Sequence, residues 1–149
     1  MLDGMARQPG GDKSGRMWNQ VLAHRPEGAR DEVRERFEAA GLMADRVQAV
    51  LADCGDALYA AACSGRDDWW QPFGGPLAVA LLAAEVSALA AHLNSRGSAV
   101  RSLAVNGLLD EFSAVTVATR LGVSRQKVYE IGRASVTTSY IDETPWRRG

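Results

Sequence analysis

The sequence predicts an all-α chain, a small helical bundle, and three observations carry that expectation. Apolar residues between Leu42 and Ala61, and again between Val100 and Phe112, recur at steps of three and four. Glycines fall where such periodic runs end, at Gly41, Gly65 and Gly97. No segment has the strand-turn-strand rhythm of a sheet. With 149 residues and a 46% hydrophobic share, the chain can bury a core without metals or disulfides.

The first 25 residues contain no apolar stretch suited to a signal peptide and read as a flexible N-terminal tail. Pro26 opens a charged stretch in which Val33 and Phe37 stand at i and i+4, the pattern of a surface helix ending at Gly41. From Leu42 the stripe Met43, Val47, Val50, Leu51, Cys54, Leu58, Ala61 predicts one helix to about Ser64, weakened but unbroken at Gly55. Cys54 and Cys63 lie about 13 Å apart along such a helix, too far to bridge. Free thiols suit a reducing compartment, so the expected location is the cytoplasm.

Residues 65–75 form a turn anchored by Trp69, Trp70 and Phe73. The alanine-rich run from Pro76 reads as a helix to about Ser95, with Gly97 and Ser98 as stop and start. It is long enough to span a bilayer, but Glu85 would sit near the membrane centre at a cost of about 2.5–3.5 kcal/mol. A helix buried by its own chain, or by a second copy, accounts for it better, and no membrane association is expected. A further helix over residues 100–112 carries the turn signature Asn106-Gly107.

Charge is unevenly spread. Residues 26–97 hold six basic and eleven acidic groups, whereas between Phe112 and Ser135 four basic groups face only Glu130. The acidic body would repel a polyanion and the short basic segment would not. The expected division is therefore a tail over 1–25, an acidic helical core over 26–97, a basic helical pair over 98–135 and an arm over 136–149. In that arm, Ser135–Tyr140 favours extended structure.

In Ser113–Ala134, SAVTVATRLGVSRQKVYEIGRA, Ser113 can cap a short helix whose inward face is Val117, Ala118 and Leu121. Gly122 can end it left-handed, Val123 can plug the corner, and Ser124 can cap a second helix held by Val128 and Ile131. The small Ala118 lets the two helices approach. This apolar-small, apolar-Gly-apolar, apolar-apolar pattern resembles the helix-turn-helix of bacterial DNA-binding proteins. The resemblance implies double-stranded DNA as partner, read in the major groove by the second helix. A hairpin of two helices with a merely structural core would satisfy the same positions.

Counting 100° per residue from Val128 puts Gln126 and Arg133 opposite the buried stripe, with Tyr129 and Glu130 beside them and Arg125 and Lys127 on the flanks. Arg125, Gln126 and Tyr129, with Arg133, are the candidate base readers, because Gln pairs with adenine and Arg with guanine in two-point contacts. Lys127, Arg120 and Ser124 are the candidate backbone contacts. Such a unit binds weakly alone, so a homodimer is expected, built on the helices at 42–64 and 76–96. Tyr59, Trp69, Trp70 and Phe73 could line a pocket for a small-molecule effector.

Catalysis is not expected. His24 and His92 are the only histidines, Glu85 and His92 alone make no zinc site, and Gly10-Gly11, Ser64-Gly65 and Gly74-Gly75 precede no phosphate-loop Lys. Neither a cofactor nor a metal is called for. The competing function is an antitoxin-like or adaptor protein that acts through the acidic helices.

Overall fold

A computed structural model describes residues 9–133. Among these residues the fold is all-α: α1 (Pro9–Val21), α2 (Arg30–Ala39), α3 (Ala44–Ala52), α4 (Asp56–Ala62), α5 (Pro76–Glu111), α6 (Ala114–Leu121) and α7 (Arg125–Arg133), with single 3-10 turns at Glu27–Ala29 and Gln71–Phe73. The described chain falls into two compact units, one ending at Ala90 and the other beginning at Ala91, so the expected boundary after residue 97 moves seven residues earlier. The expected arm over 136–149 lies outside the described residues.

The first unit is built on Trp18, Val21, Leu22, Val33, Phe37, Val47, Leu51, Leu82 and Leu89. Trp18 and Phe37 stack with ring centroids 5.9 Å apart. The segment expected to be a loose tail thus contains a core helix, since Trp18 is 2% exposed. Gly10, Gly11 and Gly15 hid it, because their low helix propensity is overridden by burial of the Trp18, Val21, Leu22 face. Arg30 closes the end of α1, its Nε donating to the carbonyls of Leu22 and Arg25 at 3.1 Å and its Nη2 to that of Ala23 at 3.3 Å.

The expected helix over 42–64 is two helices. Cys54 at φ 59° and Gly55 at φ 80° take left-handed conformations that break it, and Asp53 Oδ1 accepts from the Gly55 amide at 2.8 Å. A β-carbon on Gly55 would lie 3.3 Å from a Val86 methyl, so glycine here allows both the turn and the approach of α5. Met43 and Cys54, assigned to the inward stripe, are exposed.

Conversely, the two helices expected over 76–95 and 100–112 are one helix of 36 residues. Gly97 and Gly107 are helical positions at which a β-carbon would meet nothing within 4 Å, so each costs only propensity, about 1 kcal/mol relative to alanine. With no proline inside, the long periodic run carries through both. By length and composition α5 could cross a membrane, but its Glu85 is held within the first unit.

Glu85 is 2% exposed and accepts three hydrogen bonds. His24 Nε2 donates to Glu85 Oε1 at 2.5 Å, while Arg25 donates from Nε to Oε1 at 3.0 Å and from Nη2 to Oε2 at 2.9 Å. Burial alone would raise the Glu85 carboxyl pKa, but the hydrogen bonds from His24 and Arg25 outweigh it and hold the group below its ordinary value. The same contact raises the Arg25 pKa.

Candidate nucleic-acid interface

The second unit is organised around Val105, Val117, Ala118, Val128 and Ile131, with Leu108, Leu109, Phe112 and Val123 packed against them. Local sequence dictates its geometry. Ser113 Oγ accepts from the Thr116 amide at 3.2 Å and starts α6. Gly122, at φ 69° and ψ 32°, ends that helix in the left-handed region, and the Val123 amide reaches back to the Ala118 carbonyl at 3.1 Å. Ser124 Oγ then accepts from the Lys127 amide at 3.0 Å and caps α7.

One expectation about this core needs correcting. Leu121 is 42% exposed, not inward, because α6 ends beside it and Val123 fills the corner. Val115 on the same helix is also exposed. A further tie was not anticipated: Asn106 Nδ2 donates to the Gly132 carbonyl at 3.0 Å, and a β-carbon on Gly132 would lie 2.8 Å from Asn106 Oδ1. Asn106-Gly107, which reads as a turn, instead places an amide side chain where α7 comes close to α5. Ala118 is 7% exposed between these elements. Ala118→Leu is expected to cost about 1–3 kcal/mol by overpacking. Loss of α6 and α7 amide protection in hydrogen exchange, with the first unit unchanged, checks this.

All seven candidate contact residues are exposed: Arg120, Ser124, Arg125, Gln126, Lys127, Tyr129 and Arg133. Along α7, Arg125, Gln126, Lys127, Tyr129 and Arg133 occupy the sides left free by Val128 and Ile131, which are buried. Their partners differentiate them. Glu130 accepts from Gln126 Nε2 at 3.4 Å and lies 3.7 Å from Lys127 Nζ. Arg120 stacks its guanidinium on the Phe112 ring, 4.6 Å from the centroid. That stacking orients Arg120 and leaves it at the surface. Tyr129 is 40% exposed.

Of the four residues expected to line an effector pocket, only Tyr59 and Trp69 share a cleft among the described ones. Tyr59 and Trp69 line one cleft of about 420 Å³ with Cys54, Leu58 and Val86, whereas Phe73 lines a different one beside Leu42 and Met43. Trp70 instead meets Trp69 edge-on at 5.5 Å. His92 is buried, and among the described residues no three His, Cys, Asp or Glu side chains gather into a metal-binding group.

Comparison of the chain with protein-family models, with characterised proteins and with solved structures finds no match in any of the three.

Proposed function

We propose that the chain binds double-stranded DNA as a small dimeric transcriptional regulator, with α7 entering the major groove. The observation that carries this reading is the division of α7 into two sides. Val128 and Ile131 seal it to α5 and α6, and Arg125, Gln126, Tyr129 and Arg133 stand at the surface with hydrogen-bonding groups suited to base edges. Ser124, Lys127 and Arg120 serve the phosphates on either side. The contacts of Glu130 with Gln126 and Lys127 are exposed, and such pairs are worth about 0.2–1 kcal/mol, so DNA exchanges them at little cost.

Four cations give a small electrostatic footprint, which is why a paired protein is part of the proposal. If Arg120 and Lys127 each neutralise a phosphate, one copy has a salt slope near −2 in log affinity against log salt. Titration of the full chain with random duplex DNA across a salt series tests this. A slope of that size per copy supports the proposal, and affinity indifferent to salt overturns it. The second outcome favours the adaptor reading, for which the exposed Asp31, Glu32, Glu35 and Glu38 of α2 offer an acidic protein-binding surface.

A further inference from the structure

We propose that a second copy of this chain docks antiparallel on the apolar face that α5 exposes between Leu93 and Glu111. In this part of α5, Ser102 and Val105 are buried, and the opposite side presents Leu93 at 39%, Val100 at 67% and Leu103 at 61% exposure. Leu93, Gly97, Val100, Ala104 and Gly107 follow one another at steps of four, three, four and three, the spacing of a helix-pairing seam. Gly97 and Gly107 have open space where a side chain would be, so a neighbouring helix can approach closely there.

The order of residues along this face selects both the occupant and its direction. When a copy of the helix is turned end for end so that Leu103 of one lies opposite Ala104 of the other, Val100 falls opposite Gly107 and Arg96 opposite Glu111. The three matches share one register, since each pair of residue numbers has the same sum. Val100 and Leu103 each meet a small residue, and each end of the contact joins a cation to a carboxylate, with Asp110 adjacent. A parallel pairing would set Arg96 against Arg96 and Glu111 against Glu111, like charges that oppose association. The face is therefore complementary to itself in one direction only, as a two-fold interface requires.

This surface leaves out the 42–64 segment expected from sequence to mediate pairing and shares only residues 93–96 with the expected 76–96 helix. The contact, about 22 Å long from Arg96 to Glu111, is small for a protein interface, so association in the micromolar range is expected.

Sedimentation equilibrium of the full chain without DNA tests the proposal. The wild type should form dimers, and Leu103→Glu should be monomeric over the same concentrations with unchanged helical circular dichroism. Arg96→Glu and Glu111→Arg should each weaken association about tenfold. The double variant Arg96→Glu with Glu111→Arg should restore it. A wild-type chain that stays monomeric, a Leu103→Glu chain that dimerises like the wild type, or a double variant no better than the single ones overturns the proposal. Each of those results leaves duplex binding by a single copy untouched, so this test and that of the DNA reading fail separately.

Discussion

Replacing Glu85 with alanine is expected to destabilise the first unit by about 3 kcal/mol, the lower end of the 3–5 kcal/mol seen when one partner of a buried ion pair is removed. The lower end applies because Arg25 retains 28% side-chain exposure and can recover water, whereas the His24 side chain is fully enclosed. Urea unfolding followed through tryptophan fluorescence reads the change, and an unaltered midpoint would contradict the structural role given to this carboxylate. The pH dependence has a definite sign. Because the folded carboxyl titrates below its ordinary value of 4.5, the stabilisation is complete above that pH. It is lost as pH falls from there through the lower folded value. Glu85→Gln should flatten this acid limb while leaving the neutral region less stable than the wild type.

The second large effect concerns specificity. Arg125→Ala and Gln126→Ala should each weaken binding to a selected duplex by about 1–3 kcal/mol and leave binding to random duplex nearly unchanged. Lys127→Ala should weaken both alike and reduce the salt slope by about one. Adjacent positions on one helix turn share partners, so the double variant Arg125→Ala with Gln126→Ala need not equal the sum. Equal losses on selected and random DNA in all three single variants would show that α7 positions the protein without reading bases.

What was legible in the sequence follows the range of the interactions involved. The two caps at Ser113 and Ser124, the left-handed Gly122 and the Val117, Ala118, Val128, Ile131 core are set by contacts within about twenty residues, and the structure has each of them. Leu121 departs from that pattern because helical counting takes no account of where α6 stops. The division at Cys54 and Gly55 was hidden because an apolar stripe continues across it, and only the close approach of Val86 shows why the chain turns there. The opposite error at Gly97 arose because a stop signal is a propensity of about 1 kcal/mol, which a long helix with packed faces overrides. The tie from His24 and Arg25 to Glu85 spans about sixty residues and leaves no local periodicity to read. The surface positions of α7 were legible by angle alone, but the engagement of Gln126 and Lys127 with Glu130, and of Arg120 with Phe112, was not.

Selection of bound duplexes from a random pool by the full chain tests the central claim most directly. The account predicts enrichment of a short motif containing guanine or adenine positions, and a changed preference at those positions when Gln126 or Arg125 is replaced. Recovery of a pool no different from the starting one, under conditions where the chain is folded and α7 remains protected from exchange, would contradict it.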